Sequence, residues 1–221
     1  LVEKGYTTEA VVTQAISEQI GLAYVDLEKY VLEPSLIQLL PRESAQKART
    51  AADKALGIDP ALAEAYASRA HVKWKERDWA GAEEDFKHSI QLNGNYSYAR
   101  LFYSIYLASM GRPEEALNEV RKAEELDPFS IPIKANVAFI LYFARRYDDA
   151  VEAGKKAVEL DTSSSLAHQR LGLAYEQKGM FPEATAEFQK AVDGSNRVQL
   201  AVSSLARAFA LAGNRPEAEK L

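Results

Sequence analysis

An all-α solenoid of stacked helix–turn–helix units is the fold this 221-residue sequence predicts, and three observations predict it. An alanine recurs at a constant step of 34, at Ala48, Ala82, Ala116, Ala150, Ala184 and Ala218. Two further columns of small residues keep the same step: Ala55, Ser89, Ala123, Ala157 and Ala191, then Ala70, Ser104, Ala138, Gly172 and Ala206. Each unit, finally, splits into two apolar-periodic stretches separated by a break. A fixed period in this range is the signature of a repeat architecture. Small side chains recur where two helices approach closely, because larger ones would force the axes apart. An apolar column at Ile58, Leu92, Leu126 and Leu160 follows the second small column.

Residues 1–42 do not carry the period cleanly and are expected to form a small α/β or mostly helical module. Thr8 caps a helix whose Val11, Val12, Ala15 and Ile16 share one face, and Gly21 stops it. Leu22 to Leu27 reads as a short extended segment. Pro34 opens a second short helix through Leu36, Ile37, Leu39 and Leu40, and Pro41 ends it. That helix fills, in register, the place of a missing first helix, so the module is expected to cap the array.

Residues 43–221 hold the array: a partial unit over 43–62, then units from about 63, 97, 131, 165 and 199. Their breaks are Arg77-Asp78, Met110-Gly111-Arg112-Pro113, Arg145-Arg146, Gly179-Met180-Phe181-Pro182 and Gly213-Asn214-Arg215-Pro216. Proline soon after glycine opens a second helix at its first turn, where its missing N–H costs nothing. Asp59-Pro60 and Asp127-Pro128 close second helices, since a residue before proline resists the α region. The chain opens on Leu1 and ends within a second helix, which reads as a piece of a longer protein.

These units resemble the tetratricopeptide repeat (TPR). The unit from 165 is nearest its pattern, with Leu171-Gly172, Tyr175, Gly179, Phe181, Ala184, Phe188 and Ala191. Three residues depart from it: Arg69 stands at a usual leucine, Gly154 at a usual aromatic and Gly194 at a usual leucine. Arg69 is expected to weaken packing between the partial unit and the first full one. The resemblance implies a right-handed superhelix whose first helices line a concave groove for a peptide or protein ligand. Reading the family's groove places here gives Trp74, Tyr98, Phe102, Ile105, Asn136, Phe139, Tyr142, Arg170 and Arg207 as candidate binding residues. Exposed aromatics in a concavity are good anchors, burying large area at little entropic cost. Ala67 and His71 stand where the chaperone-type carboxylate clamp needs other residues, so that mode is not expected.

The front of the chain resembles a second family. Leu1-Val2-Glu3-Lys4-Gly5-Tyr6-Thr7, Val12, Ile16, Gln19 and Gly21-Leu22-Ala23-Tyr24-Val25-Asp26-Leu27 are similar to the N-terminal (MshEN) domain of type II secretion and type IV pilus assembly ATPases. Some members bind cyclic di-GMP through two tandem motifs. The residues here match the second copy, and the resemblance places the cationic opening of that copy upstream of Leu1. Cyclic di-GMP is therefore expected only with upstream residues present. No Gly-x-x-x-x-Gly-Lys-Ser/Thr loop occurs, so the ATPase itself is absent.

Nothing in the sequence points to catalysis. There is no cysteine, and His71, His88 and His168 lack partners at ligand spacing and read as surface or groove residues. Acidic runs such as Glu83-Glu84-Asp85 and Glu114-Glu115 read as solvated faces. Net charge is −5, and Arg145-Arg146 and Lys155-Lys156 are too sparse for nucleic acid. No apolar run is long enough to span a membrane. The sequence thus predicts a cytoplasmic, non-enzymatic scaffold or adaptor without a cofactor, within a larger bacterial secretion, pilus or signalling protein. The alternatives are a cyclic di-GMP-responsive regulator and the sensory or assembly arm of a signalling protein whose effector lies elsewhere.

Overall fold

The computed structural model describes residues 42–195 and 199–220, and every regular element among them is an α-helix. The front module and its resemblance to the secretion ATPases lie outside the described residues. The chain divides into two compact units, residues 1–92 and 93–221. The first contains α1 (Arg42–Ile58), α2 (Ala63–Lys75) and α3 (Trp79–Leu92). The second contains α4 (Ser97–Ser109), α5 (Pro113–Leu126), α6 (Ile131–Phe143), α7 (Tyr147–Leu160), α8 (Ser165–Gln177), α9 (Phe181–Gly194), α10 (Gln199–Leu211) and α11 (Arg215–Ala218).

Local sequence explains the helices. Pro113 opens α5, Glu114 and Glu115 complement its positive end, and Ala116, Leu117, Val120 and Ala123 share its buried face. By contrast α6 is apolar nearly all round. It buries Ile133, Ala135, Val137, Ala138, Ile140 and Leu141, and still carries Phe139, Tyr142 and Phe143 outside that core.

Small-residue columns are where helices meet. Ala82, Ala116, Ala150 and Ala184 are fully buried, as are Ser89, Ala123, Ala157 and Ala191. A Cβ on Gly172 would stand 2.8 Å from the Phe188 ring, and one on Gly154 would meet the Leu171 backbone at 3.1 Å. Gly154, which departs from the aromatic of the repeat pattern, thus lets α7 and α8 close together. The apolar column behaves differently. Ile58, Leu92, Leu126 and Leu160 are exposed, at the ends of second helices.

One turn geometry joins the two helices of each pair. Arg77, Gly111, Arg145, Gly179 and Gly213 occupy the same place and all have positive φ, from 58° to 79°. The next N–H in each case reaches back to the last turn of the first helix: Arg112 to Leu107 O at 2.9 Å, Arg146 to Leu141 O at 2.9 Å, Asn214 to Phe209 O at 2.8 Å. These bonds satisfy carbonyls that the helix end leaves without partners. A hydroxyl also clamps the far ends of two pairs, with the donor reversed. Ser89 on α3 donates to Ala63 O at 2.7 Å, whereas Ser165 on α8 donates to Ala191 O at 2.7 Å.

Arg69, which departs from the leucine of the repeat pattern, bonds across from α2 to both the partial unit and α3. Its guanidinium grips Asp85 of α3 through two bonds of 2.7 and 2.9 Å and reaches Asp53 of α1 at 3.2 Å. Lys73 adds a further contact to Asp85 at 2.8 Å. Asp85 is therefore not on a solvated face; it is buried and charged. Burial pushes its carboxyl up, but Arg69 and Lys73 outweigh that and hold it below the ordinary carboxylate range.

Candidate functional site

The expected groove residues sit on the first helices of the repeats, because the period places them there. Trp74 belongs to the first unit, half-buried on α2 with its ring edge-on to His71 at 5.4 Å. The remaining candidates lie in the second unit.

On α6, Phe139 and Tyr142 stack with their rings 6.2 Å apart and nearly parallel, at 9°. Phe143 meets both edge-on, at 4.7 and 5.5 Å, and Tyr147 on α7 stands 6.1 Å from Tyr142. Phe139 and Tyr142 are half-buried, and Phe143 is exposed. From α8, Arg170 lays its guanidinium over Phe139, 3.6 Å from the ring centroid, and is itself buried. A cation so placed is attracted by the ring's negative face and holds the aromatic steady. Farther along α8 the buried Glu176 accepts from Arg207 of α10 at 3.1 Å, while Arg207 keeps about half of its side chain exposed. Burial pushes the Tyr142 hydroxyl up in pKa; Arg207 opposes that and Glu176 adds to it. Phe139, Tyr142, Arg170 and Arg207 are thus brought together across α6, α8 and α10.

On α4, Tyr98 and Phe102 lie 6.3 Å apart and both are half-buried; burial pushes the Tyr98 hydroxyl up as well. Ile105 and Asn136 are placed otherwise than a groove requires. Ile105 is packed in the core, and Asn136 is fully buried, its amide donating to Pro132 O at 2.8 Å. Each turns inward, the one because it is apolar, the other to satisfy a carbonyl one turn back. Phe143, Tyr147 and Glu176 complete the cluster. Only Tyr147 falls on a second helix, beyond the reach of a rule that reads first helices.

Two of the histidines expected at the surface or in the groove are buried, His71 at 5% and His168 at 3% exposure. His168 pairs with Glu187 at 2.5 Å through Nδ1 and with Thr162 O at 2.9 Å through Nε2. Burial, helped by the charge of Lys75, lowers the His71 pKa to about 4, and burial lowers that of Lys75 to about 8. His88 is half-buried, edge-on to Tyr66 at 4.4 Å. Among the described residues no group of His, Asp and Glu could hold a metal ion, and no helix is long and apolar enough to cross a membrane.

No protein-family model matches the chain. It is similar to small glutamine-rich tetratricopeptide repeat-containing protein 2 of Mycosarcoma maydis, with 27% identity over 119 residues. The match covers 54% of this chain and 34% of that protein, so the chain spans about a third of the relative's length. Among solved structures it resembles the thermophilic TPR protein TTC0263 of Thermus thermophilus, at a TM-score of 0.69 and 22% identity, covering 81% of this chain and 96% of that one. The human IFIT1 dimer, solved with m7Gppp-AAAA, matches at a TM-score of 0.68 and 18% identity, over 96% of this chain and 53% of that one. The helix pairs are those of a tetratricopeptide-repeat solenoid.

Proposed function

We propose that the protein is an interaction scaffold that holds a peptide or protein segment against the first helices of its repeats. The aromatic cluster of Phe139, Tyr142 and Phe143, steadied from behind by Arg170, carries this reading. Half-buried rings on a rigid helix offer a large contact area whose ordering cost is already met by the fold. Tyr98 and Phe102 extend the aromatic character to α4, and the Arg207–Glu176 pair supplies a polar rim. The net charge of −5 favours a protein segment over a nucleic-acid strand, although IFIT1 was solved with m7Gppp-AAAA on a similar fold. Peptides selected by display against the protein should lose about tenfold or more in affinity when Phe139 and Tyr142 are both changed to alanine. Unchanged binding by a double variant that melts like the parent sinks this assignment. An RNA oligonucleotide belongs in the same assay, and its tighter, sequence-independent binding would shift the partner class.

The front of the chain supports a second reading, a module that docks or regulates the array within a bacterial secretion, pilus or signalling protein. Its match to the second cyclic di-GMP motif copy, from Leu1 to Gln19, motivates this. Calorimetry on a chain with the upstream residues restored tests it. Absence of heat at micromolar cyclic di-GMP rejects nucleotide sensing and leaves the scaffold reading intact.

A further inference from the structure

One place on the second helices changes character from repeat to repeat. Glu119 and Glu187 each bind a partner nineteen residues earlier: Arg100 meets Glu119 at 2.6 Å, and His168 meets Glu187 at 2.5 Å. In the repeat between them the corresponding residues are Lys134 and Ala153. With no carboxylate at 153, Lys134 turns instead to Glu124 of α5, at 2.9 Å. A cleft of about 280 Å³ lies at this place, bounded by α5, α6 and α7.

The lining of the cleft has a definite chemistry. Val137 and Leu141 of α6, with Ala153, make an apolar floor. Around it stand four cations and three carboxylates, and each carboxylate already has a cation. Glu124 holds Lys134, Asp149 holds Arg146 at 2.6 Å, and Glu152 holds Lys155 from outside the cleft at 3.1 Å. Arg121 and Lys156, both exposed, make no ion pair among the described residues and leave the rim cationic.

We propose that this cleft docks a short acidic segment of a partner protein, seating one aliphatic side chain on the Val137–Leu141 floor between carboxylates that meet Arg121 and Lys156. The site is separate from the aromatic cluster. A floor of this kind suits a side chain, which a phosphodiester backbone does not offer. Glu124, Asp149 and Glu152 also line the cleft and would repel a continuous polyanion, while a segment with two spaced carboxylates meets the two uncompensated cations.

Fluorescence anisotropy of a labelled Glu-Glu-Leu-Glu-Glu peptide with the full chain, at low ionic strength, tests the proposal. Binding should weaken about tenfold or more in the double variant Arg121→Glu/Lys156→Glu, and added salt should weaken it too. Ala153→Glu should abolish it by filling the cleft and recapturing Lys134, with a melting curve like the parent's. Phe139→Ala/Tyr142→Ala should bind as the parent does, which separates this site from the scaffold groove. Equal binding of Gln-Gln-Leu-Gln-Gln, equal binding of Glu-Glu-Gly-Glu-Glu, unchanged binding by the Ala153→Glu protein, or tighter binding of an RNA oligonucleotide at the cleft overturns it.

Discussion

The first and second units fill the same repeat position by opposite means. Residues 69, 103, 137 and 171 share one place in the period. In the second unit it holds Tyr103, Val137 and Leu171, all buried by apolar packing. In the first unit it holds Arg69, which brings in the buried Asp85 as a counter-charge, with Lys73 and Asp53 around it. Both solutions keep the helix pair together, but they fail differently. Packed side chains tolerate loss of a neighbour by partial collapse. A buried ion pair leaves an uncompensated charge when either partner goes. The helical frame is therefore indifferent to what fills this position, while the response to mutation and to pH is not.

The largest expected effect breaks that contrast directly. Arg69→Leu restores the residue of the repeat pattern, yet it should destabilise the first unit by about 3 kcal/mol, because Asp85 remains buried with a weaker complement. Replacing both, as Arg69→Leu/Asp85→Leu, should recover most of that loss or exceed the parent. Denaturant unfolding of the two single variants and the double variant measures the coupling. Additive losses would mean that the pair does not act as a unit.

Acid sharpens the contrast, since two of the depressed groups in the first unit, His71 and Asp85, titrate on the acid side. The folded His71 pKa is lowered to about 4 from 6.5, so the unfolded chain takes up a proton first. Stability from neutral His71 is whole above pH 6.5 and falls between there and about pH 4, by about 3 kcal/mol in total. Asp85 follows below that window. Its carboxyl is held low in the fold, so its contribution is present above the ordinary Asp range and is lost as the pH drops through the folded value. Melting temperatures at pH 7 and pH 4.5 should diverge in the parent and converge in His71→Leu. An equal pH response in both proteins would place the acid sensitivity elsewhere.

Much of this is legible in the amino-acid sequence, and the limits are physical. Period and small-residue columns report where helices approach closely, so the helices were legible, and the inner members of the alanine column, Ala82, Ala116, Ala150 and Ala184, are fully buried. The groove rule picks out Phe139 and Tyr142, large aromatic side chains that stand half-buried on α6. It also picks Ile105 and Asn136, which are buried, Ile105 in the core and Asn136 with its amide on a carbonyl one turn back. Burial of His71, His168 and Asp85 was hidden as well; His168 and Asp85 have partners on another helix, Glu187 and Arg69, the latter sixteen residues before Asp85. The cleft at Ala153 was visible only as an alanine replacing a carboxylate, a substitution that means nothing until Lys134 is seen to turn away.

A smaller effect tests close packing in the second unit. Gly172→Ala places a methyl group 2.8 Å from the Phe188 ring, which is fully buried and cannot move aside freely. A cost of about 2 kcal/mol is expected, read as a lowered denaturation midpoint. Glycine is the weaker helix former, so any gain in stability would show that α8 and α9 can separate without penalty.

The smallest effect runs in the stabilising direction and returns to positions shared by the two units. Arg77 and Arg145 adopt φ of 66° and 58° in the turn where Gly111, Gly179 and Gly213 sit at 71° to 79°. A side chain there carries a cost that glycine avoids, and glycine in turn gives up some entropy on folding. The balance favours Arg145→Gly by about 0.5 kcal/mol, with Arg77→Gly alike if the turn alone decides the matter. Urea midpoints of the two variants should then rise together. A rise at one site only would mean that the other arginine contributes through its side chain, and the shared turn geometry would not by itself fix the energetics of the repeat.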